Sequence, residues 1–79
     1  MDTATLQDLS VGQSATVLAI SNDNPAYRRQ LLAMGLIPGT SLTLVRVAPL
    51  GDPMELEVRG FKLSLRRAEA KAVTVEVSS

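Results

Sequence analysis

The sequence predicts a small, mostly β protein: a curled barrel of about five strands, with one short α-helix inserted after the first long strand. Alternating apolar and polar residues over 54–65 predict a β-hairpin. The segment from Asn24 to Gly35 carries the start and stop signals of a helix. Valines at every second position over 73–77 predict a last strand. An open sheet this small would expose its edges, which favours closure into a barrel.

The N-terminal part predicts a turn or a single helical turn over residues 5–11, followed by the first long strand. That strand, QSATVLAIS, is rich in β-branched residues. Thr16, Leu18 and Ile20 share one face of it, and the small or apolar residues between them share the other. Two structures fit this pattern, a strand covered on both faces or a strongly bent barrel strand.

The predicted helix has a clear beginning and end. Asn24 is a favoured N-cap, and Pro25 suits the first helical position because the N–H that it lacks would have no helical partner there. Gly35 favours the left-handed conformation that ends many helices. Leu36 then falls where such an ending places an apolar residue against Leu31. The result is a helix of about ten residues, near the usual length.

Turn residues separate the remaining elements. Pro38-Gly39 predicts a type II turn into a second alternating strand. Leu42 and Leu44 are expected on one face of it, and Thr43, Val45 and Val47 on the other. The loop APLGDP follows, and the hairpin after it turns at Arg59-Gly60. The segment RRAEAKA breaks the alternation, which predicts one short helical turn before the last strand.

The composition limits both size and chemistry. At 79 residues, the chain 1–79 is expected to form a single domain. It has no cysteine and no histidine, so it lacks thiol nucleophiles, zinc-thiolate ligands and the commonest general base. Its serines therefore have no histidine to activate them. These features argue against an enzyme, and no cofactor is expected.

Charge and hydropathy bear on partners and location. The formal net charge is +0, from 8 basic and 8 acidic residues, whereas nucleic-acid binders usually carry a basic surface. Arg28-Arg29 and Arg66-Arg67 could form a basic patch, but there is 3% aromatic content to stack on bases. No segment approaches the roughly 20 apolar residues of a membrane span, and the N-terminus lacks the pattern of a secretion signal. A cytoplasmic protein with no direct membrane insertion is expected, and self-association stays open.

Three acidic residues are candidates for metal binding. Glu55 and Glu57 share one strand face, where carboxylates can bind a hard cation, and Asp52 lies just before them. The simpler interpretation is a solvated strand face opposite the buried one. That interpretation is favoured, so these residues are weak candidates.

Two exposed segments are candidates for partner contact. In APLGDP, Leu50 lies at the loop tip with no obvious core to enter, so it either folds back over the barrel or faces a partner. Tyr27 at the helix start is either half-buried or exposed, and the arginines after it are either solvated charges or contacts. The expected partner-binding residues are Tyr27, Arg28, Arg29, Pro49, Leu50 and Asp52.

An ordered set of short motifs runs along the chain: Met34-Gly35-Leu36, Pro38-Gly39, Ala48-Pro49, Gly51-Asp52-Pro53, Arg59-Gly60, Leu63-Ser64-Leu65-Arg66 and Glu69-Ala70. Upstream, Leu6, Leu9 and Gly12 belong to the same pattern, which therefore covers nearly the whole chain. In this order and spacing the sequence resembles the FeoA family. The resemblance implies an SH3-like barrel, not an enzyme, that associates with the membrane GTPase transporter FeoB and supports ferrous iron uptake. A related barrel forms the C-terminal domain of iron-dependent repressors, so a metal-sensing regulatory barrel is the alternative.

Overall fold

The computed structural model describes residues 2–78 and shows, within them, one six-stranded antiparallel sheet. Its strands are β1 (Asp2–Thr5), β2 (Ser14–Ile20), β3 (Ser41–Val47), β4 (Met54–Val58), β5 (Phe61–Leu65) and β6 (Val73–Ser78). Two helices, α1 (Pro25–Ala33) and α2 (Arg67–Ala70), and a 3₁₀ turn (Leu6–Asp8) complete the fold. The strand order is β1-β6-β2-β3-β4-β5, which places the first and last strands side by side.

The mostly β architecture and the helix after the first long strand are confirmed, with one strand more than the five expected. The additional strand, β1, precedes the predicted turn, which the 3₁₀ turn confirms. β1 reads DTAT, with no strong strand pattern of its own. It forms because it pairs with β6, where Ala4 lies opposite Val75. The two paired strands are far apart in the sequence, so no local sequence pattern predicts β1.

β2 is a bent strand and is not covered on both faces. Ala15 and Val17 are buried, whereas Leu18 is 42% exposed. The register against β6 shifts between Val17 and Ala19, and this bulge turns Ile20 back toward the core. Of the two structures predicted for this strand, the second is therefore correct, because a bulge bends a strand and interrupts its alternation.

β3 contains a second bulge, which corrects the predicted face of Val47. Alternation alone places Val47 with Thr43 and Val45, opposite the buried leucines. The register against β4 shifts between Leu44 and Arg46, and the residues after the shift change face. Val47 consequently packs against the core, while Val45 is exposed.

The predicted ends of α1 are confirmed. Asn24 Oδ1 accepts hydrogen bonds from two backbone N–H groups of the first turn, at 3.1 and 3.2 Å. At the other end Gly35 has φ +97°, and the Leu36 N–H donates to the Leu31 carbonyl at 3.1 Å. Both leucines are fully buried. This ending docks α1 on the sheet and directs the chain into the turn at residues 37–40, where the Thr40 N–H donates to the Ile37 carbonyl.

The β4–β5 hairpin is confirmed, with Val58 paired to Phe61 across a two-residue turn. Both turn residues, Arg59 and Gly60, have positive φ, as a type I′ turn requires. Leu65 is buried, but Phe61 is 47% exposed. β5 ends the sheet order, so one edge of this strand has no neighbouring strand within residues 2–78.

An aliphatic core fills the inside of the curled sheet. It draws on every strand from β2 to β6 and on the end of α1, and the fully buried large residues are Leu6, Leu31, Leu36, Leu44, Met54, Leu56, Leu65, Val17, Val58, Val73 and Val75. Within residues 2–78, neither helix has the length and apolar character needed to cross a membrane.

Candidate functional site

The loop 48–53, between β3 and β4, is closed by its own backbone. The Gly51 N–H donates to the Ala48 carbonyl at 2.7 Å, which forms a tight turn with Pro49 and Leu50 at its centre. The Ala48 N–H donates to the Pro53 carbonyl at 3.1 Å and closes the base. Leu50 is 96% exposed, so it points away from the protein and does not fold back over the barrel.

Two further hydrogen bonds tie the loop 48–53 to the start of α2. Asp52 Oδ1 accepts a hydrogen bond from the Arg67 backbone N–H at 3.0 Å. The Arg67 side chain reaches back in the opposite direction, and its Nη1 donates to the Gly51 carbonyl at 3.1 Å. The loop and the helix are thus joined by two hydrogen bonds, one accepted by the Asp52 side chain and one donated by the Arg67 side chain. We call this pair of hydrogen bonds the Asp52–Arg67 clasp.

Gly51 leaves room for the Arg67 side-chain bond of the clasp. Its φ of +86° lies in the left-handed region, where other residues are strained. A Cβ at this position would lie 2.9 Å from Arg67 Nη1, which is too close for the guanidinium to keep its place. Both the backbone conformation and the neighbouring arginine therefore favour glycine.

The candidate partner-binding residues of α1 lie partly in the core and partly on the surface. Tyr27 is half-buried and packs against the core, which supports the more conservative of its two interpretations. Arg28 and Arg29 are exposed and, with Leu32, border a surface depression of about 310 Å³. The first turn of α1 contains no acidic residue. The arginines are therefore available at the surface without an acidic neighbour in that turn.

A larger cavity, of about 440 Å³, lies where the loop 48–53, α1 and the α2 region meet. Asp52 from the loop and Gln30 from α1 both line it, together with Arg66 and Glu69 of the α2 region. Glu69 is buried, and its Oε1 accepts the Arg66 N–H at 3.0 Å. Helix α1 thus reaches the loop side through Gln30, whereas Arg28 and Arg29 face the smaller depression.

Arg67 is the site residue that sequence reasoning missed. The sequence suggests Arg66-Arg67 only for a basic patch, but the partner of Arg67 in the structure is the loop 48–53. The two hydrogen bonds span 15 and 16 residues. An acidic and a basic residue at that separation carry no recognisable pattern in one sequence, so only the fold reveals the clasp.

The weak metal candidates lie among basic groups. Lys62 Nζ is 3.9 Å from Glu55 Oε1, and Arg46 lies opposite Glu55 on β3. Glu57 is exposed and pairs across the hairpin with Lys62, while Asp52 Oδ1 is engaged in the clasp. In the part of the chain that the structure describes, no three acidic residues converge as metal ligands. A metal site at these carboxylates stays a prediction.

Comparison with known proteins identifies the family. A model of the FeoA domain matches residues 4–77. A fusion of Fe(2+) transport protein A with the Fe(2+) transporter FeoB, from Porphyromonas gingivalis, is 32% identical over 74 residues. That match covers 94% of this chain and 9% of the fusion protein, so the chain spans about a tenth of the length of that relative.

Solved structures of similar proteins show the same fold. A FeoA-like protein from Clostridium acetobutylicum is 34% identical, with a TM-score of 0.91, over 100% of this chain and 91% of that one. FeoA of Stenotrophomonas maltophilia, solved in complex with zinc and described as a prokaryotic SH3 domain protein, is 32% identical. Its TM-score is 0.81, over 92% of this chain and 89% of that one. The predicted SH3-like fold is therefore confirmed.

The likeness of fold extends further than the family. A manganese-dependent transcriptional repressor aligns with a TM-score of 0.90 over 99% of this chain and 38% of the repressor. Its identity is 19%, which shows a common fold and nothing of function. Support for the family is stronger: the FeoA domain model matches residues 4–77, and the relatives named above are more than 30% identical to this chain. They show that this chain belongs to the FeoA family.

Proposed function

We propose that this protein is a non-catalytic accessory or regulatory protein of bacterial ferrous iron uptake, and that it binds the cytoplasmic part of a FeoB-type membrane GTPase transporter. The observation that carries the proposal is the Porphyromonas gingivalis relative, in which a similar sequence is joined to FeoB in one chain. Fusion holds two domains at a high effective concentration, which benefits domains that act on each other.

The chemistry of the surface supports binding rather than catalysis. The cavity of about 440 Å³ contains one hydroxyl, that of Ser64, and one buried carboxylate, that of Glu69. Glu69 Oε1 is already engaged by the Arg66 N–H, and the sequence has no histidine to serve as a base. A serine without a base is a poor nucleophile. The exposed leucine and arginines, in contrast, are groups that protein interfaces commonly use.

The proposed partner sets the proposed location. A protein that binds the cytoplasmic GTPase part of a transporter works in the cytoplasm without entering the membrane. The proposed contacts are the exposed arginines of α1, Arg28 and Arg29, and the tip of the loop 48–53. Tyr27 and Asp52 would contribute mainly by holding these segments in place, since one packs on the core and the other forms the clasp.

A pull-down tests this proposal. The purified protein is immobilised and exposed to the separately expressed cytoplasmic region of the FeoB encoded in the same genome. The experiment is run with GDP, with a non-hydrolysable GTP analogue and without nucleotide, and an unrelated GTPase domain serves as the control. We expect retention of the FeoB region in at least one nucleotide state. No retention in any state would overturn the proposal.

A further inference from the structure

We propose that Leu50 is the anchor with which this protein enters an apolar pocket on its partner, and that Arg67 is a positioning residue that holds the anchor in its binding orientation. The identity of the partner rests on the proposed function, the cytoplasmic part of FeoB. The inference adds which side chain binds, what kind of surface receives it and what keeps it in place.

Leu50 differs in degree from the other exposed apolar residues. It is 96% exposed, whereas the next most exposed large apolar residue described, Val11, is 60% exposed. Nearly the whole side chain is thus available for burial against another molecule. Single exposed apolar residues are common on protein surfaces, so exposure alone does not make an anchor. The second observation is how the leucine is held.

The loop 48–53 presents Leu50 from a backbone that is already ordered. Two hydrogen bonds close the loop on itself, through Ala48 with Gly51 and through Ala48 with Pro53. The Asp52–Arg67 clasp adds two more and fixes the loop to α2. Binding usually has to order the groups that make contact, and a loop ordered beforehand lowers that cost. Four hydrogen bonds thus fix the loop while the Leu50 side chain points outward, as expected of a preorganised contact.

The shape of the tip indicates the surface that it fits. Leu50 stands alone at the centre of a tight turn, with Pro49, also exposed, directly before it. A single projecting side chain makes few contacts with a flat surface but fills a concave one. Residues that dominate binding energy typically insert into desolvated pockets near the centre of an interface. The fitting surface is therefore an apolar pocket of about the size of one leucine side chain.

Calorimetric titration with the cytoplasmic region of FeoB tests the anchor. We expect Leu50→Ala to weaken binding by about 10- to 100-fold, the range of interface hot spots. Val11→Ala is the matched control, since it also truncates an exposed aliphatic side chain, and we expect it to change affinity by less than about threefold. Both variants should unfold at the same urea concentration as wild type, because neither side chain is buried.

A double-mutant cycle tests the role of Arg67. Arg67→Ala removes the Nη1 bond to Gly51 but keeps the backbone N–H that Asp52 accepts. If Arg67 acts through Leu50, Arg67→Ala weakens binding by about three- to tenfold in the wild-type background and has no effect in the Leu50→Ala background. Equal losses in both backgrounds would show a direct contact of Arg67 with the partner and would overturn its positioning role.

The outcomes separate the inference from the proposed function. If wild type binds the FeoB region and Leu50→Ala binds equally well, the anchor is wrong and the proposed function stands. If wild type does not bind in any nucleotide state, the proposed function and the anchor both fall. A selective loss in Leu50→Ala, with Val11→Ala unchanged, supports both.

Discussion

The Asp52 carboxylate accepts a hydrogen bond from the backbone N–H of Arg67, 15 residues further along the chain, at 3.0 Å. This bond attaches an exposed loop to the first turn of α2, and the Arg67 side chain returns to Gly51 to complete the clasp. Asp52 therefore has a structural partner within its own chain, whereas Leu50, two residues before it, has almost none of its apolar surface covered. These two residues of the loop 48–53 thus lie in different environments.

Loss of the Asp52 carboxylate should destabilise the protein measurably. We expect Asp52→Ala to lower the free energy of unfolding by about 0.5–2 kcal/mol, as for other side chains that satisfy the first N–H groups of a helix. Asp52→Asn is the matched control, because it keeps an Oδ1 acceptor and should lose less. Urea denaturation of the three proteins measures the difference. Equal stability of Asp52→Ala and wild type would contradict a structural role for this bond.

Two glycines with nearly the same backbone conformation allow the clasp to be tested from its other side. Gly51 and Gly12 have φ values of +86° and +94°, so alanine is strained at both positions. At Gly12 a Cβ would meet nothing within 4 Å, whereas at Gly51 it would meet Arg67 Nη1. We expect Gly51→Ala to cost about 1 kcal/mol more than Gly12→Ala, the value of one lost hydrogen bond. Thermal and urea denaturation check this, and equal costs would argue against the clasp.

The cap of α1 offers a third test with its own control. Asn24 Oδ1 accepts two hydrogen bonds from the first turn, whereas Asn22 is exposed in the preceding segment. We expect Asn24→Ala to lower the free energy of unfolding by about 1 kcal/mol. Asn22→Ala should stay within about 0.5 kcal/mol of wild type, as most surface substitutions do. Denaturation curves that do not distinguish the two variants would contradict the assigned cap.

Charge reversal on α1 tests the second proposed contact. We expect Arg28→Glu combined with Arg29→Glu to weaken binding to the FeoB region and to change its salt dependence, because interface charges act mainly on association. The fold should be kept, since both side chains are exposed and substitutions of exposed side chains usually change stability little. Arg28→Lys combined with Arg29→Lys keeps both positive charges at the same exposed positions and is the control. Unchanged binding with an unchanged circular dichroism spectrum would show that this face is not the interface.

The metal-sensing alternative can be tested directly by calorimetry. A divalent cation at Glu55 would lie close to Lys62, whose Nζ is 3.9 Å from Glu55 Oε1, and to Arg46 on the adjacent strand. Like charges at this distance oppose binding. We expect Fe(II) and Mn(II), titrated without oxygen, to bind no tighter than about millimolar, the weak end of carboxylate sites. Tighter binding that Glu55→Gln with Glu57→Gln abolishes would establish the metal site and revive the alternative.

The sequence by itself determined the parts of this protein that depend on near neighbours in the chain. Asn24 marks the beginning of α1 and Gly35 its end, and Arg59-Gly60 forms the hairpin turn. These signals are local because the hydrogen bonds of caps and tight turns join groups within about five residues of each other. These positions could be read without knowing the fold. The family resemblance could be recognised from the sequence for the same reason, since many of its motifs are local turns and helix ends.

Only the tertiary structure decided the features that depend on distant residues. β1 exists because it pairs with β6, and the bulges that turn Ile20 and Val47 inward depend on the register with neighbouring strands. The Asp52–Arg67 clasp likewise joins a loop and a helix that the sheet brings together. Such contacts form because they stabilise the packed sheet as a whole. The alternation of apolar and polar residues in one strand does not show which strand it pairs with. The sequence marked the loop 48–53 as unusual, and the fold showed that Leu50 projects from it while Asp52 holds it.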